Sequence, residues 1–234
     1  MADRPILFSG PMVRAILDGT KTQTRRVVSG ALQTADGGWE HVSGARWRQV
    51  VARGPVFPET YGPAIKCPYG VAGDRLWVRE TFDSRNSAGE RWKPKDSAFV
   101  VFRDGAQMYS DGTYSPPLES YAPGAFDLCR WRPSIHMPRW ASRITLEVTA
   151  VRVERLQDIS EEDAQAEGIE RGEDFFQCPT WRDYMPGDEA ASWFPDDPIG
   201  SYSTLWDSIN GAGAWDANLW VWVVEFRRLE AARG

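Results

Sequence analysis

Gly73-Asp74-Arg75-Leu76-Trp77-Val78-Arg79-Glu80-Thr81 is the stretch on which the fold turns. Gly73-Asp74 is a turn signal. After it the chain alternates with period two, placing Leu76, Val78 and Glu80 on one face and Trp77, Arg79 and Thr81 on the other. Such a run is a strand, and this one ends in a carboxylate.

Two further strands follow toward the C terminus. Ser142 to Leu156 alternates through Ile144, Leu146 and Val148, then Val151 and Val153, and the phase shift near Thr149-Ala150 predicts a bulge or bend. Leu219 to Arg228 is the last strand, entered through Asn210-Gly211-Ala212-Gly213. Between them, Ser160 to Gly168 has an N-cap serine, acids in its first turn and a terminating glycine, which predicts a short helix. Tyr202 to Ile209 predicts a second amphipathic helix.

Toward the N terminus, Pro11 to Asp18 predicts a helix capped by Ser9 or Gly10, stopped by Gly19, with Met12, Ala15 and Ile16 as its apolar face. The intervening segments read less regularly. Residues 29–73 are expected to hold a hairpin and loops, with Arg48 to Ala52 the best strand, closed by Cys67-Pro68-Tyr69-Gly70. Residues 83–97 read as a loop, Ala98 to Arg103 as a strand, Gly105 to Gly124 as a long lid-like insertion, and 169–198 as an acidic, aromatic insertion. Trp131 to Trp140 is punctuated by Pro133 and Pro138 and must be a specifically folded loop.

A chain of 234 residues can bury one substantial core, so the reading is one domain with insertions. The longest apolar run, Leu219 to Phe226, contains Glu225 and is too short to span a bilayer, and the N terminus lacks a secretory pattern, so the expected location is the cytoplasm. Cys67, Cys129 and Cys178 are odd in number and widely spaced, which argues against a disulfide framework or a zinc knuckle; they are read as free thiols, ahead of a zinc site built with His136. Twelve tryptophans point mainly to core and rim packing, with a minority free to stack on a base. Residues 1–53 hold eight Lys/Arg against four Asp/Glu, whereas 154–200 hold three against fourteen. With a net charge of −6 the chain is ill suited to grip long duplex DNA, but a basic mouth for one nucleotide remains open.

The opening helix with its Lys21-Thr22-Gln23-Thr24-Arg25-Arg26 tail, the Gly73 to Glu80 strand, the long strand running into Asp158 to Ala164, and the final Trp220 to Phe226 strand occur in the order found in ASCH proteins. The chain resembles the phage and prophage branch of that family, apart from insertions near 29–65, 83–125 and 170–198. The resemblance implies an α+β, PUA-like small mixed β-barrel with capping helices and long loop insertions, forming a single domain over residues 1–234. It also implies a nucleobase-handling protein whose partner is a modified cytidine or short single-stranded RNA; no cofactor is expected and no residue is assigned to a metal. A characterised subset hydrolyses the amide of N(4)-acetylcytidine with a Lys-x-x-Thr motif and a distant Glu; those roles fall on Lys21, Thr24 and Glu80. Arg25, Arg26, Trp77, Arg79, His136 and Arg139 are the ligand-binding residues expected beside them. The alternatives are a non-catalytic RNA or modified-base binding module, and a phage protein that interferes with a host factor through its acidic insertion.

Amide hydrolysis needs an activated nucleophile, a proton shuttle and oxyanion stabilisation. A threonine hydroxyl is inert without a base, so Lys21 has to be partly neutral, its pKa lowered by burial or by Arg25 and Arg26. Glu80 either stabilises the ammonium or orients a water and protonates the leaving amine, and both roles stay open. In a straight strand residues 21 and 24 face opposite sides, so a shared cleft needs a turn, for which Gly19-Thr20 is placed. Plainer roles compete: helix-dipole complementation for Lys21, Arg25 and Arg26, an ion pair for Glu80, a satisfied loop histidine for His136.

Overall fold

The computed structural model describes residues 1–29, 37–51, 60–85, 90–91, 93, 96–116, 129–173, 177–185, 193–195 and 197–229. In chain order the elements begin with β1 (Asp3–Leu7), α1 (Gly10–Leu17), β2 (Gln23–Val27), β3 (Gly37–Ser43), β4 (Arg46–Val51), β5 (Thr60–Tyr61) and β6 (Ile65–Lys66). Next are β7 (Arg75–Arg79), β8 (Phe82–Arg85), β9 (Phe99–Phe102), β10 (Gln107–Tyr109), β11 (Tyr114–Ser115) and β12 (Thr145–Arg155). The chain ends with α2 (Glu161–Ala166), β13 (Arg171–Glu173), β14 (Pro179–Arg182), β15 (Trp193–Pro195), α3 (Pro198–Asn210) and β16 (Trp220–Leu229). Among the described residues the fold is thus mixed α+β, mostly strands with three α-helices. Among the described residues no sheet closes into a barrel, since every strand path has two ends.

Two compact units share the chain: 1–14, 74–147 and 228–234 make one, and 15–73 with 148–227 make the other. In the first unit β7 is the hub. It pairs in parallel with β1, Ile6 opposite Val78, and antiparallel with the start of β12, Leu146 opposite Leu76. Leu76 and Val78 are fully buried, and Trp77 on the other face is only 7% exposed, so both faces are covered. The same unit contains the antiparallel sheet β11-β10-β9-β8. Phe82, Val100, Phe102, Met108, Met137 and Ala141 form a core cluster in this unit. Pro133 and Pro138 each start a short 3-10 turn, at Ser134–His136 and Arg139–Ala141, because a fixed φ and missing N–H suit a first helical position.

The second unit packs β16 between two layers. Val221 and Val223 join Leu156, Ile159, Trp181, Tyr202 and Trp206 on the helical side. Trp220 and Trp222 meet Trp39, and Trp222 also meets Trp47, ring centroids 6.2 Å apart in each pair. Four of the tryptophans are therefore glue between the β3–β4 hairpin and β16, at edge-on and tilted geometries that aromatic quadrupoles favour.

Several expectations need correction. The loops read at 83–97 and from 105 onward contain β8, β10 and β11, strands of two to four residues with no alternation to reveal them; residues 117–124 of the expected lid lie outside the described residues. Within 169–198 the described residues include the sheet β13-β14-β15. The second helix begins at Pro198, four residues before the expected Tyr202, because Asp197 caps it by accepting from Gly200 N at 2.7 Å. β12 runs unbroken through Thr149-Ala150, where only the alternation of burial stops. The first helix buries Val13 and Ile16 deepest, one position off the expected face. Among the described residues no helix is long and apolar enough to cross a membrane.

Candidate functional site

The segment after α1 docks on the C-terminal end of α2, and this docking builds the candidate site. A helix as short as α2 leaves most of its carbonyls without intrahelical partners. Here Thr22 N donates to Ala166 O at 2.9 Å, Gln23 Nε2 to Asp163 O at 2.7 Å and Lys21 Nζ to Glu167 O at 2.7 Å. Gly168 allows the close approach. Its φ is +78°, and a Cβ there would lie 2.8 Å from Lys21 Cβ and 2.9 Å from Ala15 Cβ.

Lys21 is thereby buried to 2% exposure, and its ammonium also donates to Glu167 Oε2 at 2.8 Å. Burial, the largest influence, drives the Lys21 pKa down; Glu167 opposes it by charge and hydrogen bond, Arg26 and Arg25 add to it, and the balance lies below the ordinary 10.5. The carboxylate on this ammonium is Glu167, a residue that sequence reading passed over in favour of Glu80. The available signal was its place one residue before the terminating Gly168.

Around this pair stands an ionic network. Arg25, with no side-chain exposure, donates to Glu154 Oε1 at 2.5 Å, Asp163 Oδ2 at 2.9 Å and Glu167 Oε1 at 3.4 Å. Arg152 bonds Glu154 at 2.9 Å and Asp163 at 2.5 Å, and pairs with Glu225. Burial works against the Arg25 charge, yet Glu167, Tyr202, Asp163 and Glu154 hold its pKa above the usual value. Burial, reinforced by Glu167, pushes the Tyr202 phenol well above its usual range.

Gln23 and Arg25, two apart on β2, both reach α2, so strand alternation puts Thr24 on the opposite face, where it pairs with Val224 in register. Thr24 is 2% exposed. β2 is the last strand of its sheet path. Arg26 is half-buried on the Thr24 side, opposite Trp222, and its charge is the larger of the two cationic influences on Lys21. Lys21, Thr24, Arg25 and Arg26 thus belong to one unit.

The other expected residues belong to the first unit. Glu80 is 6% exposed, and both its oxygens accept from Arg143, Nε to Oε1 at 2.9 Å and Nη2 to Oε2 at 2.6 Å. Arg143 also reaches Asp104 at 2.7 Å. Burial pushes the Glu80 carboxyl up, against the pull of Arg143. Its partner is therefore Arg143 rather than the adjacent Arg79. Trp77, Arg79 and Arg139 do come together: the two guanidinium carbons lie 4.5 and 5.6 Å from the indole centroid. A buried indole under two cations serves packing, not open stacking on a base. His136 is exposed at the end of its 3-10 turn. Cys67 is buried, Cys129 half-buried and Cys178 exposed, and among the described residues no group of three or more His, Cys, Asp or Glu could hold a metal ion.

Comparison of the chain with protein-family models, with curated proteins and with solved structures found no match.

Proposed function

We propose that the chain is an ASCH-type, PUA-like nucleobase-handling protein, and that the β2–α2 junction is an amidohydrolase site for N(4)-acylated cytosine as a base, nucleoside or short RNA. One observation carries this reading: a fully buried lysine amine with a depressed pKa, hydrogen-bonded to the Glu167 carboxylate and three residues from a buried threonine on an edge strand. Depressed lysine pKa values beside a proton-relaying carboxylate are what an acid–base pair needs near neutral pH.

The acylated base lies across the β2 edge. Neutral Lys21 takes a proton from the water that attacks the acyl carbon, Thr24 and Arg26 on the other face hydrogen-bond the oxyanion, and Lys21 with Glu167 returns the proton to the exocyclic nitrogen as the C–N bond breaks, releasing the carboxylic acid and the free amine.

Incubation with a panel of N(4)-acylated cytidines and short acylated RNAs, read by mass spectrometry, tests the proposal. Loss of the acyl group is expected with the wild-type chain and not with Lys21→Met or Thr24→Val; no deacylation of any substrate by the wild type sinks it. The second reading, a non-catalytic modified-base module, is favoured by the capping of α2 carbonyls by Lys21, Thr22 and Gln23, a purely structural use of the same residues. It predicts tight binding of acylated cytidine without turnover.

A further inference from the structure

Among the described residues, three hydrogen-bond donors buried in the second unit have no acceptor. Tyr202 is 3% exposed, and no partner takes its hydroxyl proton. The Arg25 Nε and the Trp206 indole N–H are buried and unpaired as well. The three side chains adjoin: the Arg25 guanidinium carbon lies 6.0 Å from the Tyr202 ring centroid, and the Trp206 ring, one turn further along α3, lies 6.2 Å from it. Burying a donor without an acceptor costs stability, so each has to be accounted for by something other than packing.

Tyr202 is tied to the β2–α2 junction. Val223 stands opposite Arg25 in register and shares a core cluster with Tyr202, which puts the phenol on the Arg25 face of β2. From that face Arg25 reaches Glu167 at 3.4 Å, and α3 packs against α2. Trp206 and Trp215 both pack on the Tyr202 ring, each 6.2 Å away, so the hydroxyl is held in a rigid aromatic frame. Charge then decides what it can bind. Arg25 is already met by Glu154, Asp163 and Glu167, which leaves little to attract an anion. Burial keeps the phenol protonated, and a neutral donor suits a neutral acceptor such as a carbonyl oxygen.

We propose that Tyr202 determines specificity at the β2–α2 site, its hydroxyl donating to the ring carbonyl of the acylated cytosine while Lys21 and Glu167 act on the amide at the other end of the base. This rests on the functional reading above, in which Thr24 and Arg26 take the acyl oxygen from the opposite face. The ring carbonyl is the oxygen left for Tyr202. Acylated adenine, whose ring carries no carbonyl, leaves the donor unpaired and is rejected.

The test is calorimetric titration of the full chain, wild type and Tyr202→Phe, with N(4)-acetylcytosine and with 4-acetamidopyrimidine, which keeps the ring nitrogens and the amide and lacks the ring carbonyl. Wild type is expected to bind N(4)-acetylcytosine about tenfold more tightly than 4-acetamidopyrimidine, and Tyr202→Phe to bind both alike at the weaker level. The melting temperature of Tyr202→Phe is expected to equal or exceed that of wild type, because the substitution removes an unpaired buried group. KM for N(4)-acetylcytosine is expected to rise in the variant more than kcat falls. A lower melting temperature with both affinities unchanged marks a structural hydroxyl and overturns the proposal, as does an equal loss of affinity for the two probes or wild-type binding of neither. The expected affinities without deacylation by wild type overturn the catalytic reading and leave the role of Tyr202 standing.

Discussion

The Lys21 ammonium nitrogen lies 2.8 Å from Oε2 of Glu167, and the two side chains are 0% and 3% exposed. A pair this deeply buried contributes little net stability when intact, because desolvation offsets attraction, yet it is costly to break. That asymmetry governs how variants at the site behave, since a loss of activity has to be separated from a loss of fold.

Lys21→Met leaves Glu167 buried with only the longer contact to Arg25, and is expected to destabilise the chain by about 3–5 kcal/mol. Lys21→Met with Glu167→Leu removes both charges and is expected to recover most of that loss. Urea unfolding of the single and double variants checks this. A single variant as stable as wild type shows that the pair is open to water.

Because the Lys21 pKa lies below 10.5, the folded chain binds fewer protons than the unfolded chain between that lowered value and 10.5, so stability attributable to Lys21 rises with pH across the window. The same titration creates the free amine. kcat/KM for an acylated cytidine is therefore expected to rise with pH and level off at a pH below the ordinary lysine value of 10.5. A profile with no rising limb anywhere below the ordinary lysine value of 10.5 removes Lys21 from the role of base.

The strand of Arg75 to Arg79 was legible because alternation is a property of local sequence, and the caps at Ser160 and Gly168 were legible because capping chemistry is equally local. β8 and β10 were not, since Phe82–Arg85 and Gln107–Tyr109 owe their extended form to pairing with β9 and not to any pattern of their own. At the site, Lys21, Thr24 and Arg25 could be read from a compact motif. Glu167 could not: it reaches Lys21 across 146 positions of chain, through the docking of β2 on α2, and its one local mark, the position just before Gly168, tells of a helix end and not of a partner for Lys21.

Gly168→Ala is expected to destabilise the chain by about 1–3 kcal/mol, because φ is +78° and the added methyl would press on Lys21 Cβ and Ala15 Cβ. The same push displaces the Lys21 backbone, so activity should fall more than the melting temperature implies. A neutral Gly168→Ala would show that α2 and the Lys21 segment are not in close contact.

Burial raises the Asp163 pKa, but Arg25 outweighs it, with help from Arg152 and Gln23, and the carboxyl titrates below its ordinary 3.8. A depressed carboxylate stabilises the fold above the unfolded value, and that contribution is lost as pH falls from about 3.8 through the folded value. Urea midpoints followed into acid are expected to drop more steeply for wild type than for Asp163→Asn. Parallel curves would show that Arg25 and Arg152 do not hold this proton off.

The two candidate carboxylates make opposite demands. Glu167 hydrogen-bonds the amine that acts as base, so Glu167→Gln removes both a proton relay and a charge; it is expected to lower kcat by about 10²–10⁴ and to shift the Lys21-dependent limb of the pH profile to lower pH, since Glu167 is what raises that pKa. Glu80 is held at both oxygens by Arg143 and has its own pKa raised by burial, so Glu80→Gln keeps the side-chain shape and one acceptor while relieving the buried negative charge. Its folded-state carboxyl binds a proton more readily than the unfolded one, a contribution to stability present below 4.5 and lost as pH rises through the folded value. Glu80→Gln is therefore expected to change stability relative to wild type chiefly above that value, and to lower kcat by less than about tenfold without moving the pH profile. Steady-state rates for both variants on N(4)-acetylcytidine decide the matter. If Glu80→Gln abolishes turnover while Glu167→Gln preserves it, the Lys21–Glu167 pair is a helix cap and the catalytic carboxylate is Glu80.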